Sequence, residues 1–205
     1  MYVYVKGIRS PSIILNGYNM KKLTIVLIIL ISIFSIESNA QSFQKGDNLF
    51  NAGFGFGYFG YGFGYGRSFS IPAVTANYEL GINEYLGVGP YAGIASWNYA
   101  GTGFDGGYSI LSVGARASFH FTDILLNDAL DMDIDQEWDF YAVLILGLNF
   151  DTYSGDFTAF QENKVRPVFG PNLGFRYFFN DNFAGFMEAG YGSFSYGTIG
   201  ISIKM

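Results

Sequence analysis

Ser118 and His120 stand two residues apart, so on an extended strand both side chains point to one face, as a nucleophile and its general base must. His120 is the single histidine of the 205-residue chain, and no second one can replace it. Glu79, Arg116, Arg176, Glu188 and Lys204 are scattered through apolar and small residues, where charges of both signs either react or neutralise one another. Asp131-Met132-Asp133-Ile134-Asp135 invites a calcium reading, but Gln136 sits where an EF-hand loop needs glycine and Ala142 where it needs a bidentate Glu. It reads as a solvated acidic turn. Gly55, Gly57 and Gly60 match the Gly-x-Gly-x-x-Gly of dinucleotide sites, yet no hydrophobic strand precedes them and no helix follows. With no cysteine there is no disulfide scaffold, zinc-thiolate site, catalytic thiol or lipid-modified N-terminal Cys. The expectation is no metal and no cofactor.

Whether any of these groups reacts depends on what positions them. The 22 Phe, 16 Tyr, 2 Trp and 28 Gly make up a third of the chain, and only 14% of residues are charged. A typical soluble domain has roughly 25%. Mean hydropathy is +0.22, which excludes disorder driven by charge, and the pI of 4.6 provides no basic footprint for nucleic acid.

One segment is apolar enough to suggest a helix in a membrane, Leu23 to Ile36, and it falls short of the roughly 20 residues a bilayer requires. Met20-Lys21-Lys22 precedes it and Ser38-Asn39-Ala40 follows, the basic start and small-residue exit of a secretory signal peptide. The expected organisation is residues 1–19 as upstream sequence from an early start codon, 20–40 as signal peptide with cleavage after Ala40, and 41–205 as the mature domain. Removing Lys6, Arg9, Lys21, Lys22 and Glu37 from the 11 basic and 17 acidic residues leaves 7 and 16, a net charge of −9.

The mature chain carries its apolar residues with a period of two. Leu111, Val113, Ala115, Ala117, Phe119 and Phe121 alternate with Ser112, Gly114, Arg116, Ser118 and His120. Val165 to Phe179, Val74 to Leu80, Ala52 to Tyr58 and Ile199 to Met205 repeat the pattern, the mark of strands with one apolar face. Eight such segments are predicted, at 48–58, 71–80, 86–99, 107–121, 139–152, 165–179, 183–193 and 196–205. Their lengths suit transmembrane strands of about 9–11 residues, and the even number suits a closed antiparallel barrel. With the N-terminus in the periplasm, connectors after even strands are periplasmic and those after odd strands extracellular. The acidic connector 122–138 contains Ile124-Leu125-Leu126 and Ala129-Leu130, a spacing that suggests a short amphipathic helix closing the lower mouth.

If the apolar faces pointed inward, the outside would be mostly Gly, Ser, Asn and Thr, too sparse in charge for a soluble barrel. An eight-strand lumen is only just wide enough for side chains, so the bulky aromatics are expected outside. A one-residue slip would place Arg116 and Arg176 in lipid at roughly 2–4 kcal/mol each. Interfacial belts are expected from Tyr58, Phe59, Tyr61, Trp97 and Tyr153 at the outer ends, and from Phe50, Tyr78, Phe121, Phe140, Tyr177, Phe179 and Phe183 at the periplasmic ends. The lumen gathers Glu79, Arg116, Arg176, Glu188 and Lys204 as a buried ionic network. A turn about Asp181 would make Arg176 and Glu188 diagonal neighbours.

The signal segment, Arg116-Ala117-Ser118-Phe119-His120-Phe121, Asp139-Phe140-Tyr141 and the ending Gly200-Ile201-Ser202-Ile203-Lys204-Met205 together resemble small Gram-negative outer-membrane barrels of the OmpA/OmpX-like, porin-family type. Met205 stands where that pattern has an aromatic residue. The resemblance implies an all-β, eight-stranded antiparallel up-and-down transmembrane barrel in the cell outer membrane. It implies outer-membrane lipid as surroundings and the barrel-assembly machinery as a partner during insertion. Its functional implication is broader: the expected role is structural or surface-interaction with a plugged interior and no catalysis, and the alternatives are a narrow pore for small solutes or a lipid-modifying hydrolase using Ser118 and His120. The aromatic stretch Gly53 to Gly66 runs from the first strand into an outer loop suited to adaptable recognition of sugar or protein.

Overall fold

The structure is a computed structural model and describes residues 43–58, 67–101 and 103–205, all within the compact unit Ser38–Met205. The expectations for residues 1–42 and for the loop 59–66 lie outside the described residues. Eight antiparallel strands follow in chain order: β1 Asn48–Tyr58, β2 Arg67–Gly81, β3 Leu86–Gly101, β4 Phe104–His120, β5 Trp138–Gly155, β6 Lys164–Asn180, β7 Phe183–Gly190 and β8 Ser195–Lys204. Each pairs with the next, and β8 returns to β1, closing the barrel. Closure leaves no edge strand through the shared height of the wall, where backbone polar groups pair between neighbours; β6 extends above its pairing with β7, which begins at Asn172.

Alternation fixes which way each strand faces. Phe54, Val74, Ile94, Leu111, Leu146, Phe169, Leu173 and Ile199 point outward and are exposed, whereas Asn51, Thr75, Asn77, Ser112, Arg116, Asn172 and Ser202 are buried in the lumen. The inward side is not uniformly small and polar, however. Tyr91, Trp97, Tyr108, Tyr141, Tyr153, Phe178, Phe186 and Phe194 are buried as well.

Two of the outer-belt assignments are thereby corrected: Trp97 and Tyr153 face the lumen. Trp97 shares its face with Tyr91 and Ala95, and Tyr153 with Asn149 and Asp151, so strand parity carries both rings inside. Glycine makes the room. A Cβ on Gly93 would sit 2.8 Å from the Phe194 ring, and one on Gly174 would sit 2.5 Å from the ring of Tyr141, its register partner. The glycine stripe thus lets rings from neighbouring strands lie flat against the wall of a narrow bore.

The lower end, which holds the short connectors 82–85 and 181–182, also carries the acidic connector. In place of an amphipathic helix it forms a single π-helical turn, Thr122–Asn127, leaving Ile124, Leu125, Leu130 and Met132 exposed. Six residues are too few to present a continuous apolar face. The lower mouth is covered instead by Phe43, whose ring stacks on His120 at 3.7 Å. At the upper end β7 stops at Gly190, three residues short of its expected end, because Tyr91 and Asn149 hydrogen-bond the connector: Tyr91 Oη lies 2.6 Å from Ser193 Oγ, and Asn149 donates to the Ser193 carbonyl at 2.8 Å.

Candidate functional site

The ladder brings charged residues from distant parts of the chain into the lower lumen. Arg176, on β6, donates to Asp139 Oδ2 at 2.8 Å, to Glu79 Oε2 at 3.1 Å and to Ser202 Oγ at 3.0 Å. Ser202 in turn donates to Asn51 Oδ1 at 2.5 Å, and those two residues are register partners across the seam where β8 meets β1. Arg176 is fully buried, and its guanidinium reaches side chains on β1, β2, β5 and β8. A planar fork with five donors suits this task in a way a lysine would not.

One step higher, Arg116 on β4 makes a bidentate pair with Glu188 on β7, at 2.7 and 3.0 Å, and Tyr141 donates to the same carboxylate at 3.0 Å. The expected register of β6 and β7 is present, with Arg176 opposite Phe186 and Glu188 opposite Gly174. The expected diagonal ion pair is not. Glu188 turns across the lumen to Arg116, and Arg176 turns to Glu79 and Asp139. Neighbours along a wall compete with partners across the bore, and in so narrow a barrel the cross-lumen partners are as near. Lys204 also stands apart from this cluster: its Nζ pairs with Asp47 at 2.7 Å on the lower rim.

Strand position alone places several further members of the cluster. His120 Nδ1 lies 2.8 Å from Asp139 Oδ1, and Nε2 lies 2.9 Å from Glu79 Oε1 and 3.1 Å from Ser118 Oγ. Asp139, Asn51 and Ser202 share the inward parity of the residues named from sequence, which is the signal that identifies them. Near the upper rim Arg166 donates to Asp151 through both Nε and Nη2, and Tyr108 donates to Asp151 at 2.8 Å.

Ser118, His120 and Asp139 have the order and spacing of a hydrolytic triad, so its chemistry can be tested by geometry. Ser118 directs its hydroxyl proton to Glu79, not to the imidazole. Both ring nitrogens of His120 face carboxylate oxygens, while a neutral imidazole can donate from only one, so the ring is engaged as a holder of carboxylates rather than poised to accept a proton. The cavity beside His120 is lined by Phe43, Glu84, Tyr85, Thr122, Asp123 and Asp139, has a volume of about 10 Å³ and does not reach Ser118. That volume holds about one water molecule.

No family model and no curated protein matches the chain. Among solved structures it is similar to Ail, the attachment invasion locus protein of Yersinia pestis, with 15% identity over 78% of this chain and 95% of that one and a TM-score of 0.43. It is also similar to the outer membrane protein OprG of Pseudomonas aeruginosa, with 14% identity over 82% and 99% and a TM-score of 0.46. The N-terminal β-barrel domain of OprF from the same organism gives 11% identity over 79% and 98% and a TM-score of 0.37. The closed eight-strand ladder itself establishes the fold.

Above the ionic cluster the lumen changes character. Ala73, Ala95, Trp97, Tyr108, Ile110, Tyr153 and Phe194 pack into one apolar cluster, with Phe157 against its edge. Between the two zones lies a cavity of about 10 Å³ bordered by Thr75, Asn77, Tyr91, Arg116, Asn172 and Glu188, room for about one water molecule.

Proposed function

We propose that this chain is an exported integral outer-membrane barrel with a structural or surface-interaction role, whose closed lumen neither conducts solutes nor catalyses a reaction. The observation that carries the reading is the inversion of side chains about the wall. Ionic groups from five of the eight strands are held inside, while Phe54, Ile94, Leu146, Phe169, Leu173 and Ile199 ring the outside and are 47–69% exposed. In water that arrangement exposes far more contiguous apolar surface than a monomer tolerates, whereas hydrocarbon is its natural solvent. On this reading the lower end faces the periplasm, the N-terminal segment acts as a signal peptide, and β8 is presented to the barrel-assembly machinery.

The upper connectors supply the interaction surface. Phe160 and Tyr191 are 76% and 63% exposed there, and Tyr196 lies within 6.2 Å of Tyr191, ring to ring. Such rings favour contact with sugar or protein. Heat-modifiable gel migration of protein recovered in the outer-membrane fraction tests the membrane reading: a folded barrel migrates faster before boiling, and a chain that stays soluble without detergent refutes it. Planar-bilayer recording tests the closed lumen, since large stable channels would show that the two zones open.

A further inference from the structure

Among the described residues the lower lumen sets three buried carboxylates, Glu79, Asp139 and Glu188, against two buried guanidiniums, Arg116 and Arg176. Buried charges are stable only when paired, so that balance calls for one more positive charge. His120 stands where it is needed. Its Nδ1 lies 2.8 Å from Asp139 Oδ1 and its Nε2 lies 2.9 Å from Glu79 Oε1, while the second oxygen of each carboxylate accepts from Arg176, at 2.8 and 3.1 Å. A guanidinium shared by two carboxylates keeps both ionised, so the hydrogens in the two contacts belong to the ring, and an imidazole that donates from both nitrogens is positively charged. The other groups facing it are Ser118 on its own strand, Tyr141 at 5.4 Å between ring centroids, and Glu84, Tyr85 and Asp123 around the small cavity at its edge. Of the two cations nearby, Arg176 is engaged by the same carboxylates and Arg116 by Glu188.

The face of the ring is covered by the segment that leads into β1. Phe43 lies parallel to it, 3.7 Å away and 3° from coplanar, and packs with Leu49, Phe178 and Ala184. Residues 44–47 are tied to the rim: Gly46 N donates to the Gly81 carbonyl at 2.9 Å, Gly81 N to the Asp47 carbonyl at 2.8 Å, and Gln44 N to Asp47 Oδ2 at 2.8 Å. Burial alone would hold any apolar side chain of that size, whereas the parallel stack singles out an aromatic one. A cation against a ring face is attracted by the ring's quadrupole, so the charge that balances the lumen also holds the ring that covers it. We propose that His120 is an imidazolium and that, through Phe43, it latches residues 43–47 across the lower mouth.

His120 is the single histidine, so ¹⁵N-histidine labelling reports on this ring alone. In the full barrel in micelles at about pH 7.5, roughly one unit above the usual imidazole range, both ring nitrogens are expected to give protonated, imidazolium-type signals. One protonated and one bare nitrogen would overturn the proposal. The latch is read by amide exchange at Gly46, with mid-strand amides of β4 as the reference for an intact barrel. His120→Gln donates from one nitrogen only and bears no charge, so it should speed exchange at Gly46 by about tenfold or more and leave the β4 amides unchanged. Phe43→Leu removes the ring without touching a charge: the imidazolium signals should persist, and Gly46 should again exchange about tenfold faster. Gly46 as protected in these variants as in the parent would mean that the segment is held without the histidine, and protection lost equally along β4 would mean a general loosening; either result overturns the latch. If His120→Gln does not insert, the ring signals of the parent and exchange in Phe43→Leu decide it.

Discussion

The lower lumen and the upper lumen are packed by different physics. Below, Arg176 and Arg116 tie strands together through directional bonds to Glu79, Asp139, Ser202 and Glu188. Above, Trp97, Tyr108, Tyr153 and Phe194 fill the space by ring contact, with Tyr108 centred 4.8 Å from Tyr153 and 5.4 Å from Trp97. The first kind of closure depends on charge balance and fails when one partner is lost; the second depends on volume and tolerates exchange among apolar groups of similar size. The ionic zone contains the seam between the first and last strands, where a directional clamp distinguishes the closed register from a slipped one. The aromatic zone lies under the upper connectors, where filling space is enough.

Breaking the ionic zone should produce the largest effect. Arg176→Met keeps most of the volume but leaves Glu79 and Asp139 buried without their guanidinium, so a loss of about 3–5 kcal/mol is expected in urea unfolding in micelles. A loss no larger than that of a surface substitution would show that the clamp is not what closes the seam. In the aromatic zone Phe194→Ala should cost about 3 kcal/mol, whereas Phe194→Leu should cost under about 1.5. Equal losses from the two would mean that the ring does more than fill volume. A sharper comparison comes from double-mutant cycles within the ionic zone. Arg116 with Glu188 should show a coupling of about 1–3 kcal/mol, and Arg176 with Glu188 distinctly less, since that pair shares only Tyr141. Stronger coupling for the second pair would restore the diagonal contact that the register suggests.

The wall was legible in the sequence because period-two alternation is a property of each strand taken alone. All eight strands, their antiparallel order and the outward placement of Leu111 to Phe119 and Val165 to Phe175 follow from it. The lumen was less legible, because a partner across the bore is set by strand number, shear and side-chain reach, none of which alternation records. Parity does reveal Asp139 and His120 as inward residues, but not that Arg176 would choose Asp139 over Glu188. Trp97 and Tyr153 mislead for a different reason: aromatic residues near strand ends suggest an interfacial belt, whereas the parity of their own strands turns both rings inward. Phe194 could not be placed by parity at all, since it lies in a connector folded into the bore.

The smallest effect should come from the residue that the charge pattern groups with the ionic zone and the geometry removes from it. Lys204 pairs with Asp47 at the rim, where both side chains retain about 15% exposure, 16% and 14% respectively. The backbone there is held without it, by Lys204 N donating to the Asn182 carbonyl and Gly81 N donating to Asp47 O. Partial contact with solvent screens the pair and lets either charge rehydrate when the other is removed, so Lys204→Ala should cost no more than about 1 kcal/mol. Unfolding in micelles at low and high salt would check this, with the difference between the two proteins shrinking as salt rises. A loss approaching that of Arg176→Met, unaffected by salt, would mean that Lys204 carries charge into the buried network and that the lower zone extends to the mouth of the barrel.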